Sequence, residues 1–373
     1  MASLDIEDLA RLNLLLSIDG IGPGRIRNLL SKFHSLKQIV DARLDSLLTV
    51  DGISDNLARR IHRSSKLLEQ SLSETKKILE KLDELNASLI TIWDKCYPAI
   101  LKKIYDPPLI LYIKGIITEA DNYSISIVGT RQPSNYGKVQ AERLAADLVK
   151  QNITIVSGMA RGIDSVAHSA AVKNSGRTIA VIGSGLDIVY PPENRKLFEE
   201  ISNNGCVISE FKLGTKPDAQ NFPRRNRIIS GMSLGCIVVE TGTNGGAMQT
   251  ASFALDQNRE VFAIPGNLGV KQSEGTNLLI QKGEAKLIRN ADDVLNELEL
   301  KLKPVVGKNI PRPQVEMSLF EEKIINVLGS EPVQIDRISS LTNLSTSDCL
   351  VHLLSLEFKG LVKQLPGKMF ALL

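Results

Sequence analysis

The sequence predicts an α/β protein built on a parallel sheet, and three observations carry that expectation. From residue 124 onward, apolar runs of strand length alternate with helical segments. These runs are continuous rather than alternating, as in strands covered on both faces. Glycines close several of them, at Gly129, Gly158, Gly183 and Gly266, where a strand must turn into a loop. The two ends of the chain read mainly as helices, so the core carries flanking helical domains. The fold class expected is therefore an extended Rossmann-like parallel sheet core. An N-terminal all-α (helix-hairpin-helix, SAM-like) domain precedes it and a C-terminal winged-helix domain follows.

The chain has 373 residues, enough for two or three domains. Hydrophobic content of 43% and charged content of 23% describe an ordinary globular protein. The net charge is +3, so any nucleic-acid affinity must come from a local patch. No apolar run is long enough for a transmembrane helix, and the N-terminus has no signal-peptide pattern. Cys96, Cys206, Cys236 and Cys349 are scattered and read as thiols of a cytoplasmic protein. The four histidines are dispersed, and neither a metal nor a cofactor is expected.

Residues 5–16 have helical spacing with acids in the first turn. Two short turns follow, Gly20-Ile21-Gly22-Pro23-Gly24 and Gly52-Ile53-Ser54, each leading into a helix that carries arginines. Such glycines can free backbone N–H groups toward a phosphate, or can serve as plain packing joints. A long amphipathic helix over 63–86 ends this domain, taken as 1–86. The core is taken as 87–300. Its strands are Ser88–Ile92, LILYIKG, SISIVGT, ITIVSG, TIAVIG, CVISE, CIVVE, EVFAIPG and AKLI. Helices are expected near 135–150, 163–174, 192–203, 225–234, 246–257 and 276–282. Residues 301–314 read as a Pro- and Lys-rich linker, and 315–373 as three helices and a hairpin. That last domain has seven acids against five bases, so protein docking or autoinhibition suits it better than DNA reading.

The strand-end loops hold the polar groups. Gly129-Thr130-Arg131 follows one strand, Ser157-Gly158 with Arg161 another, and Gly242-Thr243 with Gly245-Gly246 a third. Glycines, hydroxyls and helix N-termini on one edge make an anion-binding surface. Upstream of the third loop lies Asn221-Phe222-Pro223-Arg224-Arg225-Asn226-Arg227, with Lys212 and Lys216 before it. Guanidinium groups beside an aromatic ring suit phosphate and base contact. The same arginines could pair with carboxylates such as Glu210 on a solvated helix start. Asp164 and His168, four apart, could be an orienter and base or a structural hydrogen bond. Glu240 is the best single acid candidate, or a cap or brace for the arginine-rich helix. No Walker A, GxSxG or complete dinucleotide fingerprint is present.

With these residues laid out, the chain resembles the DNA-processing protein A (DprA/Smf) family. The matching pieces are YPAIL, DPPLILYIKG, IVGTRQPSNYG, SGMARGIDSVAH, TIAVIGSGLDIVYPPEN, VISE, NFPRRNRIISGMS, VVETGTNGGAMQTASFAL, VFAIPG and GTNLLI, across residues 97–283. The resemblance implies a non-enzymatic homodimer that binds single-stranded DNA and loads the RecA recombinase in natural transformation, with single-strand-binding protein as a further partner. By motif, Arg131, Phe222, Arg225, Asn226 and Arg227 would line the DNA pocket, and Arg131→Ala or Arg225→Ala would weaken binding without unfolding the protein. The chain departs from the family at Asn244-Gly245-Gly246-Ala247. The alternative is a nucleotide-processing enzyme resembling lysine-decarboxylase-like phosphoribohydrolases. In its PGGxGTxxE loop the later Gly, Thr and Glu would fall on Met248, Gln249 and Ser252, so the catalytic acid is missing.

Overall fold

The computed structural model describes residues 4–298, 318–328, 333–342, 344–358, 361–365 and 369–372. The linker expected over 301–314 lies outside the described residues. The chain divides into two compact units, Met1–Val305 and Val306–Leu373.

The first unit begins with six helices: α1 (Ile6–Leu16), α2 (Pro23–Phe33), α3 (Leu36–Val40), α4 (Leu44–Leu48), α5 (Asp55–Ser64) and α6 (Leu68–Glu84). Asp5 caps α1 through the Asp8 N–H, and Ser54 caps α5 through the Leu57 N–H. The long helix expected over 63–86 is broken by a 3₁₀ turn at Ser65–Leu67. The two glycine turns are tied together. Arg25 donates to the Gly52 carbonyl at 2.9 Å and to that of Gly20, and Arg60 donates to the Asp19 carbonyl at 2.8 Å. The two hairpins thus pack as a tandem around Leu12, Ile26, Leu29, Ile39 and Ile61.

The nine-stranded sheet comprises β1 (Ala87–Thr91), β2 (Ile110–Gly115), β3 (Ser124–Val128), β4 (Thr154–Ser157), β5 (Thr178–Ile182), β6 (Cys206–Ser209), β7 (Gly235–Val238), β8 (Glu260–Ala263) and β9 (Lys286–Leu287). Its order is β1-β2-β6-β5-β4-β3-β7-β8-β9. Strands β3 to β9 are all parallel, and the β1–β2 hairpin joins β6 antiparallel. The first parallel strand, β3, is central: β4–β6 run out to one side of it and β7–β9 to the other. The connecting helices are α7 (Asn135–Lys150), α8 (Ile163–Lys173), α9 (Arg195–Asn204), α10 (Asn221–Gly231), α11 (Gly246–Asp256) and α12 (Lys271–Gln281), followed by α13 (Ala291–Leu298). Helices α7, α8 and α13 cover one face, burying Ile125 and Ile127. Val128 and Val156 turn to the opposite face, where α10 and α11 pack and where the apolar cluster runs on into the N-terminal helices. That shared cluster makes Met1–Val305 one unit.

The second unit holds α14 (Leu319–Val327), β10 (Val333–Gln334), α15 (Ile335–Thr342), α16 (Thr346–Phe358), β11 (Val362–Leu365) and β12 (Met369–Leu372). Ile324, Ile338, Cys349, Leu353, Leu356, Val362 and Phe370 form its separate core. The hairpin expected at its end gains β10 as a third strand beside β12, giving a winged-helix fold.

Candidate nucleic-acid interface

The point where the chain leaves the sheet in both directions is the gap between the carboxyl ends of β3 and β7. In open α/β sheets ligands bind at such a switch point. A cleft of about 800 Å³ lies there, lined by Gly129, Thr130 and Arg131 after β3 and by Thr241, Gly242, Gly245 and Gly246 after β7. Phe222, Pro223, Arg225 and Asn226 of α10 form a third wall. Helix α11 opens at Gly246 without a side-chain cap, so its free N–H groups and positive dipole end add to an anion-favouring wall.

The loops are fixed by the backbone. Thr130 donates its N–H to the Glu240 carbonyl at 2.7 Å, and Ile163 donates to the Thr130 carbonyl at 3.2 Å. Gly162 has φ +81°, and a Cβ there would strike the Thr130 carbonyl and the Arg131 backbone. Only glycine lets α8 start against this loop.

Arg131 is exposed and stacks with its guanidinium 5.2 Å from the centre of the Phe222 ring. Tyr190 lies 6.0 Å from the same ring, tilted by 39°. Arg131, Tyr190 and Phe222 also border a smaller recess with Arg161, Gly158 and Gly183. Sequence reasoning missed Tyr190, Pro217 and Gln249 as lining residues. Tyr190 sits in the YPP segment after a strand, and in a chain with 4% aromatics that was the available signal.

Arg225 occupies a different position from its neighbour in sequence. It is 4% exposed and donates through Nη1 to the carbonyls of Gly158 and, at 2.6 Å, Val181. A Cβ on Gly158 would collide with this guanidinium. Burial lowers the Arg225 pKa to about 10 against the opposing pull of Asp164, and desolvation pushes Asp164 above the usual carboxylate range. Arg225 therefore fastens two strand ends under the cleft floor, so Arg225→Ala is expected to cost stability, where the motif reading expected weaker binding without unfolding.

Several expected residues sit away from the cleft. Arg227 is bound by Glu210 and donates to the Asp106 carbonyl at 2.7 Å, which is the carboxylate-pairing reading of that arginine. Arg224 lies on the opposite side of α10's first turn, 5.4 Å over Phe211, and borders a separate cavity with Lys212. Lys216 and Thr243 are exposed and border neither the cleft nor the recess. Arg161 borders the recess and is paired with Glu193 at 2.5 Å. Ser157 is buried and donates to the Ile127 carbonyl at 2.6 Å, so its hydroxyl serves the sheet.

The catalytic candidates are also spoken for. His168 Nδ1 lies 2.6 Å from the Thr178 hydroxyl, not against Asp164. Its pKa is lowered to about 3 by burial and by Arg225, which leaves it neutral. Glu240 accepts from the Ser134 N–H at 2.9 Å and hydroxyl at 2.5 Å, so it braces the start of α7 rather than the arginine-bearing helix.

The fold and the cleft define a doubly wound α/β protein with an open, cation- and aromatic-lined groove at its switch point; in sequence, helix-hairpin-helix segments precede this core and a winged-helix unit follows it. Residues 88–299 match the family model described as DNA recombination-mediator protein A. Residues 311–368 match the DprA winged helix domain, and 12–66 the SAM-like helix-hairpin-helix tandem. The chain is 34% identical to "Protein Smf" of Synechocystis over 94% of this chain and 95% of that one. It is 43% identical to "DNA processing protein DprA" of Bacillus subtilis over 62% of this chain and 78% of that one. The solved structure of DprA from Streptococcus pneumoniae superposes with a TM-score of 0.65 at 33% identity, covering 79% of this chain and 98% of that one. A Helicobacter pylori DprA structure, described as showing a single-stranded DNA binding mode, superposes with a TM-score of 0.52 at 32% identity, covering 58% and 96%. This chain belongs to the DNA recombination-mediator protein A (DprA/Smf) family.

Proposed function

We propose that this protein binds single-stranded DNA, with little sequence preference, in the cleft at the switch point. We further assign it the loading of RecA onto the bound strand, as a non-enzymatic homodimer of the cytoplasm in recombination and natural transformation. Single-strand-binding protein is its further partner. The observation that carries the reading is Arg131, a permanent cation stacked on Phe222 with no carboxylate at ion-pair distance among the described residues. An aromatic face for a base beside a free guanidinium for a phosphate is the usual sequence-tolerant platform for single strands. The single-stranded DNA named for the Helicobacter pylori relative supports the same ligand. Within this reading Arg131, Phe222 and Asn226 contact the strand. Arg161 joins them once Glu193 releases it, and Arg225 acts from beneath.

Fluorescence anisotropy with a labelled oligo-dT at low salt tests the binding: a flat titration would sink the reading. RecA assembly on strands coated by single-strand-binding protein tests the loading, which requires faster assembly when the protein is added. Turnover of nucleoside monophosphates would favour the phosphoribohydrolase alternative instead.

A further inference from the structure

We propose that Glu193 is a built-in competitor for the strand: its carboxylate holds Arg161 where a phosphate would, and so keeps bound single-stranded DNA exchangeable. The proposal rests on the single-stranded DNA reading and adds a regulator to the same site.

Arg161 stands beside the stacking platform. The recess it borders shares Arg131, Ala160, Tyr190, Pro217, Phe222 and Arg225 with the cleft, so the two spaces are continuous. Tyr190, tilted against Phe222, also acts on Arg161. Glu193 grips the guanidinium at two points: Nε donates to Oε1 at 2.5 Å and Nη2 to Oε2 at 3.1 Å. Two carboxylate oxygens in that fork take the places that two phosphate oxygens would take.

Exposure decides which arginines a strand can claim. Arg227 meets Glu210 with the two side chains only 11% and 13% exposed, which makes that pair permanent. Arg131 meets no carboxylate at ion-pair distance among the described residues. Arg161 and Glu193 are 54% and 52% exposed, so water and salt reach both groups, and the pair is weak enough for a phosphate to displace.

The pair can open without moving the chain. Glu193 belongs to a 3₁₀ turn, Pro192–Asn194. Asn194 donates its side-chain amide to the Met159 carbonyl at 2.9 Å and to the Ser165 hydroxyl at 2.8 Å. These bonds join the two loops independently of the ion pair. Only side chains rotate when a phosphate takes Arg161, and the carboxylate stays within reach to take it back. Recapture of this kind acts on the rate at which a strand leaves.

Anisotropy of labelled oligo-dT on the full chain tests this, with dissociation followed after adding excess unlabelled strand. Glu193→Gln should bind about threefold tighter and release the strand more slowly by a similar factor, with an unchanged melting temperature. In an Arg161→Ala background the same change should have no effect. A general repulsion between Glu193 and DNA would raise affinity equally in both backgrounds, and that result overturns the proposal. So does Glu193→Gln that binds no tighter than wild type. Wild-type binding that Arg131→Ala weakens but Glu193→Gln leaves alone refutes the competitor and spares the cleft. A wild type that fails to bind oligo-dT sinks both.

Discussion

At the residue scale, two arginines assigned to the same pocket have opposite duties. Arg131→Ala removes a surface cation and should lower affinity for oligo-dT about tenfold. The slope of log affinity against log salt should flatten by about 0.7, read from anisotropy at several salt concentrations. The melting temperature should hold. Arg225→Ala strips two buried carbonyls of their donor and leaves Asp164 without its counter-charge, so it should cost about 3 kcal/mol in urea unfolding. Gly158→Ala should do comparable harm by evicting that guanidinium. His168 gives a pH signature. Its folded pKa, about 3, lies below the unfolded value near 6.5, so the unfolded chain binds the extra proton between them. Stability from this group is full above about pH 6.5 and falls by about 1.4 kcal/mol per pH unit on acidification. Replacing His168 by Gln should flatten that slope in denaturant titrations between pH 6 and 4. None of these distinctions was readable beforehand. NFPRRNR shows that a cluster of arginines exists, but which of them are buried depends on the direction each leaves the helix; for Arg225 that is fixed by the ends of β4 and β5 packed beneath it, and for Arg227 by Glu210 and the Asp106 carbonyl.

At the element scale, the alternation of apolar runs with helical segments revealed the sheet and most of its helices, because buried parallel strands write a continuous apolar signal. Helix α10 begins at Asn221, four residues before the expected start. Pro223 falls in its first turn, where a missing N–H costs nothing, so a residue that reads as a breaker lies inside the helix. Helices α3 and α4, five residues each, are too short to show a period, and β10 is two residues long. The role of Glu240 was likewise hidden, since Ser134 is 106 positions away. Glu240→Gln should weaken the charge-assisted bonds at the start of α7 and cost about 1–2 kcal/mol, measured by chemical denaturation, with oligo-dT affinity retained.

At the scale of the whole molecule, two separate cores mean two separable units. Deleting residues 315–373 should leave the first unit folded with oligo-dT affinity within about twofold of the full chain; complete loss would contradict a docking or autoinhibitory role for the winged helix. The position of β3 has a consequence for the order in which the protein is made. Its strand is followed by β4, β5 and β6 on one side, while its other neighbour, β7, is separated from it by more than a hundred residues. A chain emerging from the ribosome therefore carries half a sheet whose central edge is bare, and one wall of the cleft is still unsynthesised. Unpaired strand edges are sticky. A nascent chain stalled before β7 should aggregate or hold a chaperone, and the cleft is complete only when Gly235–Val238 and the loop after it have closed that edge.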